Sequence, residues 1–199
     1  MRLLKVPDRS TPYHFPHTTQ VAGTAVVYGG DDRFYNNIFV GGEGIKDCGT
    51  AGFNPNTASY EEYVEQVLSH GVGDLAVFQK TEQPVYIDAN AYLNGAEGFD
   101  REKNGYHSKA FDPGVKIAEE EDGVYLEMNV EKEMLGIPAK VVSTETLGTV
   151  RIVDAIFDDP NGEPIVLDTD YTGAHRAEKP VVGPVEGLKA GFNRMKVWG

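Results

Sequence analysis

The chain has 199 residues, 40% of them apolar, enough to bury a sizeable core in one domain or in one domain with a large appendage. Its 18 Lys and Arg face 31 Asp and Glu, and the resulting charge of −13 repels phosphate backbones and anionic lipid surfaces. Nucleic acid and membranes are therefore not expected as partners, whereas a neutral ligand such as a carbohydrate is compatible with this field.

In chain order, residues 1–42 read as strands and loops. A strand is expected over Arg2–Val6, a Pro-bounded loop over Pro7–Thr19, and further strands over Val21–Tyr28 and Phe34–Val40. In the last of these Ile38 and Val40 share one face and Phe39 takes the other, which is the two-residue period of a strand. Asn36 and Asn37 suit a bend, because Asn tolerates left-handed dihedrals and bonds its own backbone. The opening residues hold no apolar run long enough for a signal peptide or a membrane span, and localisation stays open.

A loop rich in Gly, Asn and Thr follows, then a helix over 59–71. Ser59 and Glu62 form a capping box, Tyr60, Tyr63, Val64, Val67 and Leu68 an apolar stripe, and Gly71 a stop. The single cysteine, Cys48, has no internal disulfide partner and no neighbouring ligands at metal-binding spacing. Pro84–Gly95 returns to strand. Val115–Val130 reads as a hairpin turning at Asp122-Gly123, with Val124, Leu126, Met128 and Val130 alternating inward. Residues 131–148 suggest a short helix or turn and a strand at Lys140–Ser143. Thr149–Asp154 and Ile165–Asp168 flank Asn161-Gly162, a hairpin signal, and the Pro- and Gly-rich last thirty or so residues read as an extended tail over the body.

One pattern recurs. Asn37-Ile38-Phe39-Val40-Gly41-Gly42 and Asn90-Ala91-Tyr92-Leu93-Asn94-Gly95 share an Asn, an apolar–aromatic–apolar triplet and a turn closing on Gly, 53 positions apart. A unit that cannot bury its own apolar face stacks on copies of itself, as in parallel β-helices and other solenoids. Since an uninterrupted coil takes roughly 20 to 30 residues on the scale of other repeats, the helical segment reads as an insertion between coils. Two coils are fewer than the three or so a stable solenoid needs, so the expectation is the last coils of a longer protein. The expected fold is mainly β: residues 1–99 form β-helix coils with the helical insertion, and residues 100–199 a β-rich region of antiparallel hairpins. An uncovered first coil predicts a homo-oligomer or tight pairing with a missing N-terminal portion.

The densest cluster of sugar-binding groups is Thr11-Pro12-Tyr13-His14-Phe15-Pro16-His17-Thr18, followed by Gly29-Gly30-Asp31-Asp32-Arg33. Two prolines stiffen the loop and lower the entropy cost of presenting Tyr13, His14 and His17, with Arg33, to a ligand. The competing reading is a Pro-rich corner whose side chains pack and bond the backbone. His14 and His17 lack the helical spacing and second half of a metal site, and no metal or cofactor is expected. Asp158-Asp159-Pro160-Asn161-Gly162-Glu163 reads as part of a hairpin rather than as a calcium loop. Cleavage of a glycoside needs two carboxyl groups, about 5–5.5 Å or about 6.5–9.5 Å apart. Sequence does not choose a pair; Asp31 and Asp32 are the local candidates, and neighbours on a strand face opposite ways, so at most one would meet a ligand.

These residues carry a resemblance. The Thr11–His17 stretch, Gly29-Gly30-Asp31-Asp32-Arg33-Phe34-Tyr35-Asn36-Asn37-Ile38-Phe39-Val40, Asn90–Gly95 and Met195-Lys196-Val197-Trp198 together resemble the C-terminal third of glycoside hydrolase family 120, the β-xylosidases built on a right-handed parallel β-helix. The resemblance implies part of a retaining glycosidase acting on β-xylosides or xylo-oligosaccharides. It places the nucleophile in an Asp-Trp segment and the acid/base in a Glu-Val-Ser-His-type segment. Neither occurs here, for the only Trp is Trp198, preceded by Val197. The chain is therefore expected to hold no catalytic residue and to be inactive alone, contributing pocket-wall contacts from Tyr13, His14 and His17. The alternative is a non-catalytic carbohydrate-binding or structural β-domain.

Overall fold

The structure, a computed structural model, describes residues 10–26, 32–56, 85–150 and 153–199. The strand expected at Arg2–Val6, Asp31 and the helix expected over 59–71 lie outside them. Among the described residues the chain is mainly β, with several small sheets and one short helix. The strands are β1 (Ser10–His14), β2 (Val21–Val26), β3 (Arg33–Tyr35), β4 (Ile38–Val40), β5 (Tyr86–Asp88), β6 (Ala91–Leu93) and β7 (Tyr106–Ser108). They continue with β8 (Lys116–Glu120), β9 (Gly123–Val130), β10 (Val142–Ser143), then helix α1 (Thr144–Leu147), β11 (Thr149–Val150), β12 (Ala155–Ile156), β13 (Val166–Leu167) and β14 (Gly191–Trp198).

The two copies of the repeat lie side by side in register. Ile38, Phe39 and Val40 of β4 pair in parallel with Ala91, Tyr92 and Leu93 of β6, and β3 pairs in the same sense with β5. Between the paired strands the chain turns at Asn36 (φ 58°) and Ala89 (φ 56°), equivalent corners of the two copies. A third rung, β7, pairs in parallel with β6. Its Tyr-His-Ser lacks the repeated motif and the sequence reading missed it, but His107 occupies the aromatic position.

Side-chain alternation then sorts the rungs by face. Phe39, Tyr92 and His107 form a stack, with ring centroids 5.3 and 4.8 Å apart and planes within 16° of parallel. On the opposite face Ala91 and Leu93 join Met128, Val130, Met134 and Val182 in the main core, with Ile38 and Val40 packed against it. Close passage of adjacent copies explains one glycine of the motif: a Cβ on Gly41 would overlap the Asn94 carbonyl oxygen.

Asn90 ties the copies together. It is fully buried, and its side-chain oxygen accepts from both the Asn37 backbone N–H and the Asn37 amide at 2.9 Å. Its own amide donates to the carbonyls of Phe34 and Asp88 and to Glu102 Oε1. Glu102 also accepts 2.6 Å from the Tyr92 hydroxyl, whose other neighbour is buried Thr50. Burial, and then the bond to Glu102, hold the Tyr92 phenol far above its ordinary pKa, so it stays a donor.

The second half supplies the other wall of the core. The hairpin of β8 and β9 turns at Asp122-Gly123 as its pattern predicts, and Met128 and Val130 face inward. Three expectations are corrected. The Pro7–Thr19 loop contains β1, which pairs with β2, because the Thr-Pro-Tyr-His run alternates as an edge strand and Pro12 is tolerated there. The segments flanking Asn161-Gly162 do not pair with each other: β11 pairs with β12 and β13 with β10, leaving one isolated bridge, Asp158 to Pro164, across the turn. The tail ends not as an overlying segment but in β14, paired along its length with β9. Residue alternation cannot reveal such a partner some 65 positions away.

Replacement Asn90→Ala leaves the Asn37 donors without their acceptor and the Phe34 and Asp88 carbonyls without the amide that donates to them. We expect a loss of about 2–4 kcal/mol in urea-induced unfolding, larger than that of Asn36→Ala, whose amide makes one bond, to the Lys140 carbonyl.

Candidate functional site

The tip of the β1–β2 hairpin carries the Tyr and His residues singled out above. Tyr13 is buried, at 8% exposure, and His14 follows it across a register irregularity and is exposed. His17 takes a left-handed conformation (φ 55°) in the turn, and its Nε2 lies 2.9 Å from Asp158 Oδ2. Asp159 beside it accepts from the backbone N–H groups of Asn161 and Glu163, and these bonds hold its carboxyl below the usual range. The acidic stretch is thus a capped turn, as its residues suggest. Among the described residues no cluster of three His, Cys, Asp or Glu side chains is placed to hold a metal ion.

Arg33 is a second anchor for the same region. Its guanidinium lies 4.2 Å from the centroid of Tyr86 and 4.5 Å from that of Phe157, and it donates to the carbonyls of Leu147 (3.0 Å) and Thr149 (2.8 Å). A planar, always-charged group with a fork of donors suits two rings and two carbonyls at once. Asp32 is exposed, and its backbone carbonyl accepts from Tyr86 N–H. His17 and Arg33, read from sequence as one ligand loop, therefore both bond to the stretch between Leu147 and Asp158. His14 stands free of that stretch.

Two clefts open beside this anchor. The smaller, about 220 Å³, is lined by Tyr35, Asp88, Lys140 and Thr146 over an apolar floor that includes Pro138 and Val142. The larger, about 540 Å³ and within the common range of ligand sites, shares Tyr35, Asn36, Lys140 and Val142 and extends to Leu167 and Tyr171. The sequence reading missed these residues. Extending the repeat upstream finds half of them, since Tyr35 and Asp88 pair in register one position before the corner. Lys140 and Tyr171 carry no local signal and arrive from the second half of the chain.

Asp170 closes one end of the larger cleft. It is buried, and burial alone would raise its pKa. Hydrogen bonds from the N–H groups of Glu186, Thr172 and Ala174 and from the Thr172 hydroxyl outweigh that and hold the carboxyl below the usual range.

Two outcomes are expected. Arg33→Lys keeps the charge but not the planar fork, so stability falls by about 1–2 kcal/mol and limited proteolysis cuts faster between Leu147 and Asp158. Asp170 has a depressed folded pKa, so its contribution is complete above the unfolded value of about 3.9 and is lost as pH falls through the lower folded value. Asp170→Asn lowers the thermal midpoint at pH 7 and shrinks its further drop between pH 5 and pH 3, measured by circular dichroism.

No protein-family model and no curated protein matches the chain. A solved structure of XylC in complex with xylose does, with 51% sequence identity and a TM-score of 0.81. The match covers 98% of this chain and 30% of that one, so the chain spans less than a third of the length of XylC and is similar to it over nearly all of its own.

Proposed function

We propose that the chain is the C-terminal part of a glycoside hydrolase acting on β-xylosides or xylo-oligosaccharides, and that its paired rungs are the last coils of a right-handed parallel β-helix. The observation that carries this reading is the 51% identity, over 98% of the chain, to a protein whose solved structure holds xylose. The in-register stacking of β4, β6 and β7 supports the solenoid part of it. In this reading residues 1–99 supply the coils and residues 100–199 the region packed on their end, with β7 as a rung just beyond that division. The retaining Asp/Glu pair lies outside these 199 residues, because neither the Asp-Trp nor the Glu-Val-Ser-His segment is present. Asp31 and Asp32 are left as the weaker local candidates.

The hairpin forms a wall of the sugar pocket. His14 contacts the ligand from its exposed position, Tyr13 packs the hairpin that carries it, and His17 and Arg33 set the shape of the wall by fixing the stretch from Leu147 to Asp158. Among the described residues β3 and β4 are edge strands with no neighbour on their outer side, which favours docking of a further coil or of a second copy.

The test is reconstitution. Co-expressed with the part of XylC that the match does not cover, the chain is expected to restore hydrolysis of an aryl β-xyloside, and alone to show none. Alone it should sediment as an oligomer, and with its partner as a defined complex. A properly assembled complex without hydrolysis would overturn the reading in favour of a non-catalytic domain, and a monodisperse monomer would remove the docking edge.

A further inference from the structure

The two clefts share a wall. Tyr35, Asn36, Lys140 and Val142 belong to both, and along this wall the Asn36 amide donates to the Lys140 carbonyl at 2.7 Å. The adjoining clefts form one groove, with the shared wall as its waist, Asp88 lining the smaller part and Tyr171 the larger.

Its polar groups are unevenly committed. Asn36 is held by its bond to the Lys140 carbonyl, Thr146 by a local bond to the Ser143 carbonyl, and Asp170 by the loop it caps. Among the described residues the Tyr35 hydroxyl and the Lys140 ammonium make no hydrogen bond. Burial raises the Tyr35 phenol above its ordinary pKa, so it remains a neutral O–H that both donates and accepts. Asp88 accepts from the Asn104 amide with both oxygens and keeps lone pairs for further donors. At the far end Tyr171 is 65% exposed beside Leu167, 54% exposed, which leaves an aromatic face and an apolar edge in water.

These features select a ligand class. A carboxylate acceptor and an ammonium donor in the same cleft cancel as net charge, so neither an anion nor a cation is favoured. Hydroxyl groups, which donate to the one and accept from the other, satisfy both, and the weakly polar faces of a sugar ring suit an exposed aromatic. We propose that the groove binds a neutral oligosaccharide, one ring held in the smaller cleft by Asp88, Tyr35 and Lys140 and the next stacked on Tyr171 beyond the waist. The site is separate from the His14 turn and requires no bond cleavage; it takes from the proposed function only its probe, xylotriose.

Calorimetric titration of the 199-residue chain with xylotriose tests this. Saturable binding is expected, at least about 10-fold tighter than for xylose, since xylose fills one cleft only. Tyr171→Ala, at an exposed position that the fold does not need, and Tyr35→Phe should each weaken it about 3- to 10-fold, and Asp88→Asn by at least as much. Phe192→Ala, which removes an equally exposed ring on β14, should leave it unaltered. Absence of saturable binding, or affinity unchanged from the parent chain in Tyr35→Phe and Tyr171→Ala, would overturn the proposal, as would an equal loss in Phe192→Ala. Hydrolysis by the reconstituted enzyme reads the proposed function independently: activity without groove binding sinks the groove alone, and groove binding without activity sinks the glycosidase reading alone.

Discussion

A single buried carboxamide sets the register on which the rest of the structure depends. Asn90 opens the second copy of the motif; its side-chain oxygen accepts from Asn37 of the first, and its amide donates to the Phe34 and Asp88 carbonyls and to Glu102. A buried amide is costly unless fully bonded. A slip of one residue would orphan it and also exchange the two faces of each strand, turning Tyr92 from the aromatic stack toward the cluster of Met128 and Val182 and Leu93 away from it. The apolar triplets alone would tolerate more than one alignment of such short strands. The amide admits one, and the aromatic stack of Phe39, Tyr92 and His107 follows from it.

That alignment also places the chemistry. The corners at Asn36 and Ala89 stand in equivalent positions, so the residues just before them, Tyr35 and Asp88, come side by side at one edge of the rungs. The segment around Lys140–Thr146 closes over this edge and makes it concave. Arg33, two residues earlier, holds the chain that leaves that segment through two carbonyls and the Phe157 ring.

The acidic composition has a structural side as well. Much of the described chain is turn and loop, whose backbone N–H groups lack ladder partners. Carboxylates supply the acceptors: Asp170 closes the loop to Ala174 and ties it to Glu186, Asp159 caps the turn to Glu163, and Glu102 receives Asn90 and Tyr92. Part of the charge of −13 therefore serves loop closure inside the molecule rather than long-range steering of ligands.

The repeat, its strand character and the inward alternation of Leu126, Met128 and Val130 were legible in the sequence because each is a local period written in side-chain polarity; Val124, expected with them, is half-buried and outside that cluster. So was the turn within Asp158–Glu163, since Asn-Gly and Asp act on their own backbone, but not the strand pairing, because the segments expected to form a hairpin across it pair elsewhere. The third rung was not, because Tyr106-His107-Ser108 is paired by its neighbour and not by its own pattern. Nor was β14, whose partner lies on a distant hairpin, or the groove, which exists only where Tyr35 and Asp88 from one half meet Lys140 and Tyr171 from the other. Sequence by itself determined which residues stack on which, through one amide and one alternation. Only the tertiary structure decided what those stacks face, because long-range packing is chosen by complementary surfaces that no single segment contains.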